Sequence, residues 1–360
     1  MSELVLEEPA VKRGMGSILI RKIYTNFWLR RILKMLLTTW IVVTVIFFVI
    51  RLMPGSPTDV LVQDLMITRG LAYDEALNQA AQLLGIRLDE PIMNQYVNYM
   101  GNLLKGDWGR SYRNQTTTVL YMIGERLPWT IFSVGISLII SFVIGVTMGM
   151  IIAYRRNSWL DHLMTSLSAV FDAIPGYLTA ILVFVLLGVV LKWVPIGMMR
   201  GSRSPGIEPG LTWDFISDIF KHLAIPGLVY VLATVGNWML RMKSNTLSTL
   251  GEDYVTVARA RGLSDGRIIT SYVGRNASLP VVTSLAISLG VLMGGSVLIE
   301  NIFTYQGIGL LLLQAVNARD YPLMQGVFIV TTLAVIIANF LADLLYGWLD
   351  PRTRIPGGNK

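Results

Sequence analysis

Apolar runs of about twenty residues recur along this chain with the charges gathered between them, and this alternation restricts the fold more than any other feature. The runs cover roughly Leu36–Leu52, Trp129–Ala153, Ile174–Leu191, Ala224–Leu240, Val281–Ile299 and Gly326–Leu349. At ~1.5 Å per residue, about twenty helical residues cross the hydrocarbon layer of a bilayer. Backbone polar groups in lipid must be satisfied within the segment, so each run is expected to be a helix. The expectation is an all-α polytopic membrane protein with six transmembrane helices. Composition agrees: 15% of residues are charged and 53% apolar, where a soluble chain is roughly 25% charged.

The formal charge is +7. Its basic residues flank the apolar runs, which fits a membrane face and lipid phosphates rather than nucleic acid. With six crossings, segments 1–34, 153–165, 241–280 and 350–360 share one side and hold 18 Lys and Arg. Segments 54–128, 193–223 and 300–325 hold 10 across longer loops. The positive-inside rule then puts both termini in the cytoplasm of a multi-pass cell-membrane protein. The expected division is a cytoplasmic segment 1–34, a first span 35–53 and a small external helical domain 54–128. A core of spans two to six follows over 129–349, with a cytoplasmic loop at 241–280 and a tail at 350–360. "RRILK" precedes the first run and no small-residue cleavage site follows it, as for a retained anchor.

Several chemistries are excluded by residue type. The chain has no cysteine and only two histidines, His162 and His222, so disulfides, thiolate catalysis and a histidine metal centre have no basis. No glycine loop ends in Gly-Lys-Ser or Gly-Lys-Thr, and no nucleophile elbow is present. No enzymatic site and no cofactor are expected on this chain.

The most structured loop is "YVTVARARGLSDGRIITSYVGRNASLP", Tyr254 to Pro280. Asp253 is placed to cap a helix that Gly262 ends. Ala258, Ala260 and Gly262 would give that helix a face without bulk, bracketed by Arg259 and Arg261. A second helix, about Arg267 to Arg275, would lead through Asn276 to Pro280 in the first turn of the next span. Two readings stay open from the residues alone: a face gripped by a partner, or an amphipathic loop on lipid phosphates.

This segment resembles the cytoplasmic loop of permease subunits of binding-protein-dependent ABC importers. The family pattern is a Glu-Ala-Ala triad, a Gly four residues later and a Leu-Pro farther on; Ala258, Gly262 and Leu279-Pro280 keep the spacing, while Thr256 and Val257 depart from the triad. "ARARGL" and "RNASLP" are similar to the variant in dipeptide, oligopeptide and nickel permeases. "FFVIRLMPGSP", "GDWGRSYRNQTTT", "LIENIFTYQGIGLLLLQAVNARDYPLMQG" and "NFLADLLYGWLDPRTRI" resemble the same subgroup, so the likeness covers nearly the whole chain, as the first of two permease subunits. The resemblance implies a type I importer permease fold, peptide transport by alternating access, and ATPase coupling through Asp253, Thr256, Ala258–Leu263, Asn276 and Pro280. It also implies a homologous second permease, an external solute-binding protein, and two cytoplasmic ATPases that carry ATP and magnesium. Oligosaccharides or nickel complexes are the alternative cargo. An ion-coupled transporter and a membrane scaffold are the competing classes.

Other residues carry separate expectations. Glu300, Gly307, Gly309, Arg319 and Asp320 lie at the expected outer rim, where a Glu300–Arg319 pair is expected because a lone charge beside the apolar zone is costly. "LLLLQAV" is too short to span and reads as a re-entrant or interfacial helix. Gly145 with Gly149, and Gly290 with Gly294, are small-residue pairs for close helix packing. Asn339 and Asp343 share a face of span six, where hydrogen bonding between helices is expected. "RGSRSPGIEPG" reads as a flexible external loop.

Overall fold

A computed structural model describes residues 27–84, 91–114, 116–292 and 294–349. Most of the expected N-terminal segment and all of the tail 350–360 lie outside the described residues. The described chain is helical, with one isolated bridge between Arg110 and Thr118. In chain order the helices are α1 (Phe27–Arg51), α2 (Pro57–Arg69), α3 (Tyr73–Leu84), α4 (Ile92–Leu104), α5 (Val119–Tyr154), α6 (Trp159–Ala173) and α7 (Gly176–Phe184). They continue with α8 (Ile196–Met199), α9 (Trp213–Leu250), α10 (Asp253–Ala260), α11 (Asp265–Arg267), α12 (Arg275–Leu292), α13 (Val297–Ile302), α14 (Ile308–Asn317) and α15 (Tyr321–Leu349).

Four of these, within α1, α5, α9 and α15, are long and apolar enough to cross a membrane. A fifth crossing is counted if α6 and α7, bent by 98°, form one broken span. The bend sits at Ile174-Pro175, where Ile174 is extended because the proline ring disfavours a helical conformation before it. Proline 175 then opens α7. α5 and α9 run to 36 and 38 residues. Each is much longer than its apolar run, since Thr118 and Thr212 cap them well upstream and accept from the Tyr121 and Phe215 N–H groups. Pro128 and Pro226 fall inside these helices rather than at their starts.

α5 and α9 pack along much of their length, and the reason is a row of small residues. Ser133, Ser137, Ser141, Gly145 and Gly149 recur every fourth residue and lie buried on one face of α5. A Cβ on Gly145 would run into Trp238, and one on Gly149 would lie 2.6 Å from the Met239 carbonyl. Ser141 and Thr234 share a hydrogen bond of 2.7 Å across the contact. The expected Gly145–Gly149 pair is therefore a helix contact, and the serines extend it. α6 lies on α9 through the Lys243–Asp161 ion pair at 2.5 Å.

Gly290 on α12 meets Ala338 on α15 in the same way. Gly294 does not join it, because α12 ends at Leu292 and Gly294 lies in a turn. Asn339 is exposed on α15, and among the described residues no hydrogen bond joins its side chain to another helix; the side chain of Asp343 lies outside the described residues.

The two ends of α5 mark two ends of the molecule. At the head, α2 and α3 pack through Val62, Leu65, Ala76 and Ala80. α4 lies against α1, where Tyr96 bonds Thr44 at 2.8 Å and Arg51 stacks over Phe47. At the foot, beside Tyr154, lie α10 and α11.

Substituting Gly145 with Leu should overpack the α5–α9 contact and cost about 1–3 kcal/mol or more. Gly135 on the same helix has open space around its Cβ position. Thermal unfolding in detergent should show Gly145→Leu lowering the midpoint by several degrees while Gly135→Leu leaves it nearly unchanged.

Candidate functional site

The foot is built around α10, a two-turn helix tethered on both sides. Val255 and Ala258 turn inward and pack with Ile268 and Val273, with Leu250 and Leu263 beside them. The helix ends with the Gly262 N–H on the Arg259 carbonyl at 2.9 Å and the Leu263 N–H on the Ala258 carbonyl at 3.3 Å. That is a Schellman ending, and Gly262 has the φ of +72° that it requires. Leu263 closes it by packing on the same apolar cluster.

The expected face of Ala258, Ala260 and Gly262 is not one face. Ala258 is only 2% exposed, because helix geometry puts it above Val255 on the inner side. The outward residues are Thr256, Val257, Arg259, Ala260 and Arg261, with Val257 56% exposed. Asp253 is the first helical residue rather than the cap, which is Glu252. The second helix also differs from expectation. α11 runs through a π-helical stretch, Ile268–Gly274, straight into α12, so Pro280 lies inside a helix. Asn276 explains how α10 is held: its amide donates to the Tyr254 hydroxyl at 3.0 Å and to the Tyr272 carbonyl at 3.0 Å. Asn245 on α9 donates to the Ala277 carbonyl at 3.3 Å. α9, α10 and α12 thus form one braced unit.

The head contains the second cluster. Glu300 on α13 is 1% exposed. Its carboxylate accepts from the Leu310 N–H at 3.0 Å and from the Thr130 hydroxyl at 3.1 Å. Thr130 in turn accepts the Ile308 N–H at 2.8 Å. The carboxylate therefore sits at the N-terminus of α14, where free N–H groups favour an anion. Gly295, Gly307 and Gly309 surround it: a Cβ at Gly307 would overlap the carboxylate, and one at Gly295 would lie 2.6 Å from Oε1.

Glu300 does not pair with Arg319. The ion pairs within 4 Å include Lys243–Asp161, and His222 lies 3.6 Å from Asp218; Glu300 has no such partner among the described residues. Backbone donors and Thr130 take the place that a cation was expected to fill. Arg319 instead lies at the end of α14 with a left-handed φ of 53°, its guanidinium beside Gly55. Asp320 accepts from the Ser111 hydroxyl at 2.5 Å, the Tyr112 N–H at 3.1 Å and the Leu323 N–H at 3.2 Å. It caps α15 and fastens the 111–113 loop. The short apolar helix expected after Gly309 is α14, and it is largely buried.

The loop after Arg200 is also tied down, contrary to its flexible composition. Ser204 donates from its N–H and its hydroxyl to the Asp218 carboxylate, each at 2.7 Å. The Gly201 N–H bonds the Phe303 carbonyl at 2.9 Å, which joins the loop to the Glu300 cluster. Sequence reasoning missed Thr130 and Lys243, whose partners lie far away in the chain, and Asp218, whose partner Ser204 sits in a loop of flexible composition.

Burial pushes the Glu300 carboxyl up to about 7, against the pull of the Leu310 N–H, Thr130, the Gly309 N–H and Arg126. Folding therefore raises its proton affinity. Its contribution to stability is fully present below the ordinary value of 4.5 and is lost as pH rises through about 7. The shift corresponds to about 3 kcal/mol. Unfolding in detergent between about pH 5 and 8 should show wild-type stability falling relative to Glu300→Gln, which cannot ionise. Parallel pH profiles for the two would contradict this.

Residues 145–355 match the family described as binding-protein-dependent transport system inner membrane component. A permease protein of Brucella suis biovar 1 (strain 1330) is 37% identical over 311 residues, covering 86% of this chain and 93% of the relative. The oligopeptide transport system permease protein AppB of Bacillus subtilis (strain 168) is 32% identical over 314 residues, covering 86% and 93%. The di/tripeptide transport system permease protein DppB of Pseudomonas aeruginosa (strain UCBPP-PA14) is 32% identical over 340 residues, covering 91% and 98%. With the family matched over more than half of its length and relatives aligned nearly end to end, this chain belongs to the inner membrane components of binding-protein-dependent transport systems.

Proposed function

We propose that this chain is the first permease subunit of an ATP-driven peptide importer, lining the path for di- and oligopeptides by alternating access. Two of its relatives are named for oligopeptide and di/tripeptide transport. Family membership favours this over the ion-coupled transporter and the scaffold. The partners are a homologous permease, two ATPases that bind ATP and magnesium, and an external solute-binding protein. The chain itself supplies walls and a lever and no enzymatic chemistry. The membrane is crossed six times, with the broken pair α6–α7 as the third crossing and α12 as the fifth. The foot faces the cytoplasm, where Lys and Arg concentrate, and the head receives the binding protein.

The observation that carries this reading is α10: a short helix with an apolar underside, an exposed outer face and a brace to two long helices. An ATPase cleft that grips Val257, Ala260 and the flanking arginines would move α9 and α12 together. Gly262 contributes by ending the helix. A bulky residue there is strained by the left-handed backbone, although the space around its Cβ is open.

Val257→Glu and Ala260→Trp should therefore lose the ATPases on co-purification, or lose uptake while hydrolysis continues. Gly262→Trp should weaken coupling by loosening the helix end. Normal complex recovery, hydrolysis and uptake in all three would remove α10 from the coupling role. Orientation is tested separately in this cysteine-free chain. An impermeant thiol reagent on sealed cells should label Asn78→Cys and spare Ser264→Cys; the reverse pattern would put the foot outside.

A further inference from the structure

We propose that a polar cleft at the head is a transit site for the charged termini of a peptide, with Arg126 receiving the α-carboxylate; this rests on the peptide-importer reading. The cleft is about 530 Å³ and lies between the first turns of α5 and the loop after Arg200. That volume falls within the range of small-molecule sites. Its charged lining is Glu125, Arg126, Arg203 and Glu208, with Trp129 and Gln306 beside them. Two cations and two carboxylates around one space complement a zwitterion, which is what a free peptide is at neutral pH.

Arg126 is the anchor for three reasons. It is only partly exposed, so its charge has left some of its water. Among the described residues its side chain has no hydrogen bond and no ion pair within 4 Å. The negative charge around it comes from Glu125 and Glu300 at longer range. A guanidinium in this state has a planar set of donors suited to a carboxylate. The opposite wall is held in place beforehand. Asp218 takes both donors of Ser204, the Gly201 N–H is bonded to Phe303, and Arg200 reaches the Thr304 hydroxyl at 3.1 Å. A wall with these tethers pays little ordering entropy when a solute enters. Trp129 gives the cleft an aromatic side that tolerates varied side chains, while the ends of the peptide are recognised by charge.

The test uses the assembled importer in proteoliposomes with its binding protein saturated by one of two probes, trialanine or trialanine amide. Saturation removes the binding protein's own preference. Wild type should take up the free acid about tenfold faster than the amide. Arg126→Gln should slow the free acid to the rate of the amide, with little further change for the amide. Arg126→Lys should keep part of the preference, and ATP hydrolysis with unloaded binding protein should stay normal in both variants. Equal loss for both probes, or no loss for either, would overturn the carboxylate assignment while leaving the importer reading intact. Reduced hydrolysis with unloaded binding protein would make the cleft a docking surface and also overturn it. Failure of wild type to import either probe, with hydrolysis intact, would instead defeat the peptide reading on which the site depends.

Discussion

The contact between α5 and α9 is the constraint on which the rest of the molecule depends. In lipid there is little hydrophobic gain when two apolar helices meet, so close van der Waals fit must hold them. The small residues from Ser133 to Gly149 allow that fit by bringing backbone against side chain. α6 is pinned to α9 by Lys243 and Asp161, and α12 is joined to α9 by Asn245. Thr130, just above the same row on α5, holds Glu300 and the start of α14. Both ends of the molecule are therefore referenced to one helix pair.

The Glu300 cluster uses a second device. A buried carboxylate is costly, and the usual expectation is a basic partner. Here a turn of glycines brings the N-terminus of α14 onto the carboxylate, so main-chain dipoles do part of the work of a cation. Burial raises the proton affinity of this group, and the main-chain donors oppose that rise only in part.

Hydrophobic periodicity located four of the six apolar runs as long helices, because burial in lipid needs long uninterrupted runs, while the run Ile174–Leu191 belongs to a broken pair and Val281–Ile299 divides between α12 and α13. It placed the boundaries poorly. α5 and α9 continue beyond the hydrocarbon through polar residues whose helical state is set by packing and by threonine caps. The foot loop was legible in its punctuation, since Gly262 does end a helix, whereas the bond from Asn276 to Tyr254 was not readable from spacing. Its facing was not, since three small residues spaced two apart cannot share one side of a helix. The Glu300–Arg319 pair was misjudged because charge was counted while backbone donors were not. Asp218 was invisible, since its partner Ser204 lies in a stretch whose composition suggests mobility.

The lengths of α5 on the two sides of its tightest contact are unequal. Gly145 and Gly149 lie near one end, so roughly 42 Å of helix extends toward Val119 and about 10 Å toward Tyr154. Were α5 to tilt about that contact, its Val119 end would travel about four times as far as its Tyr154 end and in the reverse direction, with Thr130 between the two.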